Sequence, residues 1–180
     1  MYKTIQGYDV ILIENDAWLN KEATMSDVER NKRLAREWYE LIGSARYEEA
    51  KVYVSDDFVF YPMIDQKLEG VERFIELESS HMDPQPGFRF EIVNIIGEGD
   101  YVAVHFIFDG WMPEDNDIFL GLKTTQRHSR HDVMTWLKFN EDGKICAKWA
   151  KYNMFFVLKQ LDVKEILEVD EKIQAASEQK

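Results

Sequence analysis

Apolar positions step by three and four residues through the first half of this chain, and by two residues through most of the second half. Leu34, Trp38, Leu41 and Ile42 recur at helical spacing, so one stripe of a helix faces inward. Ser26-Asp27-Val28-Glu29 has the spacing of a capping box, which starts that helix, and Gly43 supplies its stop. A shorter helix is predicted over about 46–54, with Tyr47, Ala50 and Val54 on one side and Ser55-Asp56 breaking it. Residues 57–61 read as a strand closed by Pro62. Gly70 precedes a third helix, 71 to about 80, with Phe74, Ile75 and Leu77 as core candidates. Asp83-Pro84-Gln85-Pro86-Gly87 interrupts both kinds of element and reads as a loop.

After that loop the alternation is that of strands, predicted over 88–96, 101–111, 128–139 and 144–153. Gly97-Glu98-Gly99-Asp100 and Asn140-Glu141-Asp142-Gly143 are the hairpin turns between neighbours. Helices first and a long-stranded meander afterwards predict an α+β fold, with helices on one face of an antiparallel sheet. Three segments are expected: a leader over 1–25 with a short strand from Tyr8, a main domain over 26–163, and a tail over 164–180 that is helical in its first half.

Composition narrows the function classes. The chain is 45% hydrophobic over 180 residues, enough for one domain with a real core. Its 34 acidic residues outnumber 22 basic ones, a net charge of -12, so it has no surface for displacing counterions from phosphates. Nucleic acid is not an expected partner, and neither is an anionic membrane. The single cysteine, Cys146, sits in an alternating apolar segment and reads as a strand residue rather than a nucleophile. Residues 1–13 lack a signal pattern and no stretch reaches membrane-spanning length, so a cytoplasmic location is expected. His81, His105, His128 and His131 do not have metal-ligand spacing on the predicted elements, so no metal site is expected.

The order of elements, and several short segments, resemble the SnoaL-like polyketide cyclases of the nuclear-transport-factor-2-like superfamily. The segments are Asn31-Lys32-Arg33-Leu34 with Trp38-Tyr39-Glu40, Ser55-Asp56-Asp57-Phe58-Val59, Gly70-Val71-Glu72-Arg73-Phe74, Gly99-Asp100-Tyr101-Val102-Ala103-Val104 and Glu141-Asp142-Gly143-Lys144-Ile145. The resemblance covers about 31–163. It implies a cone-shaped curved antiparallel sheet wrapped around the N-terminal helices, a pocket in the cone's mouth, and a homodimer formed through the sheet face. It also implies cyclisation of a small hydrophobic carbonyl compound by proton transfer, with no cofactor. The same fold hosts isomerases, dehydratases and epoxide hydrolases, as well as modules that only bind a ligand.

Such chemistry needs a base for an activated C–H proton and donors for the enolate oxygen. The richest polar segment is Arg127-His128-Ser129-Arg130-His131-Asp132, on the strand that carries the acid/base Asp in the cyclases. Alternation there places His131, Val133, Thr135 and Leu137 on one face, expected inside, and Arg130, Asp132, Met134, Trp136 and Lys138 on the other. Thr135 occupies the slot where the family often has Asp, so the proton carrier is either absent or has passed to His131 or Asp132. Tyr61, where relatives often carry His, is the third catalytic candidate, a donor to a substrate carbonyl. Trp38, Trp149, Thr135, Arg130, Asn153 and His81 are candidates to bind the substrate. His105 and Asp109 share a face expected on the outside of the sheet. A dehydratase or hydrolase would instead use Tyr61, His131 and His81 to activate water. A purely ligand-binding domain would need none of these groups.

Overall fold

A computed structural model describes residues 2–5, 8–11, 25–63, 66–82, 88–111, 118–119, 122–123 and 127–178. Two short strands, β1 (Tyr2–Ile5) and β2 (Tyr8–Ile11), pair antiparallel ahead of helix α1 (Met25–Gly43). Then come α2 (Tyr47–Ala50), β3 (Val54–Met63), β4 (Gln66–Glu69), α3 (Val71–Met82), β5 (Arg89–Glu98) and β6 (Tyr101–Trp111). The two-residue strands β7 (Ile118–Phe119) and β8 (Leu122–Lys123) precede β9 (His128–Phe139) and β10 (Ile145–Lys151), and the chain ends with α4 (Met154–Gln160) and α5 (Lys164–Glu178). The main sheet is curved and six-stranded, ordered β4-β3-β10-β9-β6-β5.

The predicted α+β architecture is observed, with differences of detail that have local causes. The second helix gives way to a single 3-10 turn over Lys51–Tyr53, and Val54 already belongs to β3. Pro62 lies inside β3, next to a register shift in its pairing with β4, where a missing N–H is tolerated. Strand β4 and helix α4 were not expected, and α5 runs the length of the tail to Glu178 rather than half of it. The sheet is also mixed: β10 runs parallel to β3 and antiparallel to β9. The β9–β10 turn is closed by the Asn140 side chain, which accepts from the amides of Asp142 and Lys144, with Gly143 at φ +74° supplying the left-handed residue. The side chain of Ser26, the proposed cap, falls outside the described residues.

Helix α1 buries Trp38, Tyr39 and Ile42 against the inner face of the sheet. Phe58 and Phe60 of β3, Phe74 of α3, and Val102, Val104 and Phe106 of β6 meet them there. Trp38 stacks on Phe74 at 5.5 Å between ring centres, and Phe74 stands edge-on to both Phe58 and Phe60. Phe74 is the keystone of this ring cluster, being fully buried and in contact with α1 and β3 at once. Phe74→Ala is expected to lower unfolding stability by about 3–5 kcal/mol, because the rigid surroundings leave most of the cavity open. A urea melt with an unchanged slope and a shifted midpoint checks this.

Candidate functional site: a buried lysine and carboxylate on the inner face

Strict alternation along β10 would put Lys148 on the same face as Cys146, away from Ile145. A bulge between Ile145 and Ala147 changes that: two residues of β10 oppose one step from Phe139 to Lys138 on β9. The extra residue turns Ala147 outward and Lys148 inward, beside Leu137 of β9 and Phe60 of β3. The Lys148 side chain is therefore only 5% exposed. Its Nζ donates to the Glu78 carboxylate of α3 at 2.9 Å. It also lies over the rings of Phe74 (4.4 Å), Phe60 (4.7 Å), Trp38 (5.5 Å) and Tyr39 (5.8 Å), within the range of cation–π attraction. Glu78 is more accessible, at 19%, and lies on the solvent side of the pair.

Two further polar groups occupy the inner face. Tyr39 donates to Thr135 Oγ1 at 2.7 Å, and Thr135 in turn donates to the Val104 carbonyl. Burial pushes the Tyr39 hydroxyl far above its ordinary range, so it stays a neutral donor. His131 stacks on Phe108 at 5.0 Å and lies 5.6 Å from the ring of Tyr152, which follows β10. Ser129 Oγ lies 3.1 Å from its Nδ1. Burial lowers His131 from 6.5 to about 4 against the opposing pull of Asp132, so the ring is neutral at pH 7. Burial, and then the charge of Glu78, raises the Tyr152 hydroxyl. Trp38 Nε1 is buried with no hydrogen-bond partner among the described residues.

The predicted site residues separate into two groups. His131, Thr135 and Trp38 face inward as the alternation required, and the inner face around Trp38 is packed with rings rather than hollow. Asp132 is exposed on the outer face, so it does not share a site with His131. Tyr61 is outer as well: it stacks on Trp149 at 5.1 Å with the rings 5° from parallel, because Phe58 and Phe60 take the inward positions of β3. Trp149 therefore lies outside too, opposite Trp136. Arg130 is an outer residue held by Asp109 and Glu91, and its amide donates to Gln160. Asn153 caps α4 by accepting from the Phe156 amide. The His81 side chain lies outside the described residues.

On the outer face, Asp109 is 11% exposed and gathers Arg89, Arg130 and His128, the last at 2.5 Å. His128 lowers its carboxyl pKa first, and then Arg89 does. An open concavity of about 670 Å³ lies elsewhere, between α1 and α2, bordered by Glu37, Glu40, Arg46, Glu49 and Tyr53, and holds none of the predicted residues. Cys146 is half-buried with its thiol pKa raised by burial, as suits an unreactive strand residue. Among the described residues no cluster of His, Cys, Asp and Glu would hold a metal, and no helix is long and apolar enough to cross a membrane.

Lys148 and Glu78 were invisible to sequence reasoning. A lysine in an alternating strand reads as solvated, and nothing local in the sequence announced the bulge. His131 yields a pH signature. It is neutral when folded down to about pH 4 but charges near 6.5 when unfolded, so its stabilising contribution is present above 6.5 and is lost as pH falls toward 4. His131→Gln is expected to flatten the decline in melting temperature between pH 6.5 and 4 relative to the unaltered protein, as read by thermal denaturation at a series of pH values.

The SnoaL-like domain profile matches residues 35–148. No curated protein matches the chain. Among solved structures, a SnoaL-like polyketide cyclase from Agrobacterium tumefaciens is similar at a TM-score of 0.61 and 17% identity, over 73% of this chain and 97% of that one. An LEH-like epoxide hydrolase from M. tuberculosis gives 0.57 and 15%, over 75% and 86%. A protein of ketosteroid isomerase-like fold from Catenulispora acidiphila, solved in complex with trimethylamine, gives 0.57 and 14%, over 72% and 92%. These likenesses establish the fold, and the profile, spanning α1 to the buried lysine, establishes that the chain belongs to the SnoaL-like domain family.

Proposed function

We propose that this chain is a cofactor-free acid/base catalyst of the lyase or isomerase type, acting on a small hydrophobic carbonyl compound of the polyketide kind. The observation that carries this reading is the Lys148–Glu78 pair among aromatic rings. A buried ion pair contributes little net stability compared with well-packed apolar residues, so its presence is better explained by chemistry than by folding. The pair is suited to enolate formation. Glu78 takes the proton from the carbon next to the carbonyl, and the C–H electrons move to the carbonyl oxygen. Lys148 holds the resulting oxyanion. The net charge of the site is the same before and after the step, because the proton neutralises Glu78 as the oxygen becomes negative. The enolate carbon then attacks a second carbonyl, closing a ring, or is reprotonated by Glu78 at a different carbon. His131, neutral and beside Tyr152, lies on the same inner face as a further proton-handling group. In this reading Tyr61 and Asp132 take no part in the chemistry. A water-activating hydrolase is the second reading, favoured by the proximity of His131 to Tyr152.

With polyketide-ester mimics as substrates, Glu78→Gln is expected to lower kcat by about 10²–10⁴-fold, the usual range for losing a positioned base. Asp132→Asn should turn over like the unaltered protein. If Glu78→Gln retained full turnover while His131→Gln lost it, the hydrolase reading would replace the proposed one.

We also propose a homodimer through the outer sheet face. Trp136, Trp111 and Ile96 are 43%, 52% and 60% exposed there, a concentration of apolar surface that a partner would cover. Trp136→Glu is expected to convert the dimer to a monomer, as read by sedimentation velocity. A single species of unchanged mass would remove this assignment.

A further inference from the structure

Ser129 and His131 are two steps apart on the inner face of β9, at the end of the strand away from the β9–β10 turn. Ser129 is buried, and its hydroxyl lies 3.1 Å from His131 Nδ1, the one side-chain partner recorded for it among the described residues. The neighbouring strand offers no competing polar side chain, because β6 sets Gly110 opposite Ser129 and Phe108 opposite His131. The imidazole is confined by rings. Phe108 stacks on it at 5.0 Å with the planes 22° apart, and Tyr152 lies 5.6 Å away at 35°.

A neutral imidazole carries one N–H and one bare nitrogen, and its partners decide which is which. Burial keeps His131 neutral at pH 7, so the question of its tautomer arises. With the proton on Nδ1, the ring would donate to Ser129, and the serine's own buried O–H would be left without an acceptor. With the proton on Nε2, the serine O–H donates to Nδ1 and both groups are met. Buried donors without acceptors are rare, because each forgoes its hydrogen bonds to water. Turning the ring over would set a C–H against the hydroxyl and lose the bond altogether.

We propose that Ser129 is a positioning residue that holds His131 in its Nε2–H form, so that the ring presents a hydrogen-bond donor rather than a base. The contact stands by itself, while its consequence for chemistry rests on the acid/base reading above, in which His131 handles protons. An Nε2–H suits holding a substrate carbonyl or enolate oxygen. It cannot take a proton from water at that nitrogen, so the Ser129–His131 pair favours the lyase or isomerase reading over the hydrolase.

The test is long-range proton–nitrogen NMR of the full chain labelled with nitrogen-15 histidine at neutral pH, with the His131 signals assigned by their loss in His131→Gln. A protonated and a bare ring nitrogen differ widely in nitrogen shift, and a mixture of tautomers draws the two shifts together. The unaltered protein is expected to show Nδ1 bare and Nε2 protonated. Ser129→Ala should lower the ratio of the Nε2–H to the Nδ1–H form by about fivefold, the equilibrium worth of one ordinary hydrogen bond. Ser129→Thr, which keeps the hydroxyl, should restore the unaltered pattern, a rescue that a purely structural role would not require. An Nδ1–H ring in the unaltered protein, or a ratio unchanged in Ser129→Ala, would overturn the proposal. Turnover of polyketide-ester mimics separates it from the acid/base reading. An Nε2–H ring lost in Ser129→Ala, in a protein whose Glu78→Gln variant keeps full turnover, retains the Ser129 assignment and removes that reading. A ring indifferent to Ser129, in a protein that still depends on Glu78, does the reverse.

Discussion

An ammonium group held away from water is the constraint around which the inner face is arranged. Lys148 sits among Phe60, Phe74, Trp38 and Tyr39 and, among the described residues, pairs with the carboxylate of Glu78. Removing one member of such a pair leaves the other buried and uncompensated, which is far more damaging than the pair is helpful. The helices and strands that supply the rings must therefore hold their positions relative to both partners. The Trp38–Phe74 stack joins α1 to α3, and Phe74 against Phe60 joins α3 to the sheet. The same contacts that bury the core thus fix the distance between a carboxylate and a cation.

The backbone device behind this arrangement is small. One extra residue in β10 reverses which side chains face inward from Ala147 onward, and so exchanges an alanine for a lysine on the inner face. It also sends Trp149 outward, where it meets Tyr61 and faces Trp136. The buried lysine and the outward Trp149 are consequences of a single irregularity, and straightening the strand would abolish both.

Much of the architecture was legible because it depends on periodicity. The α1 stripe, the alternation of β9 and the Asn140–Gly143 turn survive intact, as does the inward placement of His131 and Thr135, while the other hairpin turn narrows to Gly99-Asp100 because Gly97 and Glu98 pair within β5. The site was less legible. Tyr61 and Trp149 were assigned by resemblance and by spacing alone, and the faces of β3 and β10 depend on a parallel pairing and a bulge that no local pattern encodes. Glu78 sits in a helix whose polar residues all look solvated until the β10 lysine is known to face it. Thr135 shows the opposite case. Its position was read correctly, while its role as acceptor for Tyr39 depends on a contact 96 residues away in the chain.

The parallel pairing of β3 with β10 also constrains the order of events in making the protein. Ser55 meets the Ile145 carbonyl across 90 residues, and Glu78 waits for Lys148 across 70. During synthesis from the N-terminus, α1, β3 and α3 emerge long before their central partner strand exists. Until β10 inserts, the sheet is split between β3 and β9, with Phe58, Phe60 and Phe74 uncovered on one part. Closing that gap requires a long loop to be restrained first, the kind of step that slows folding and leaves sticky surface open to other chains. The strand that delivers the lysine is thus also the one that seals the molecule, so a chain cut short before residue 145 would lose its site and its solubility together.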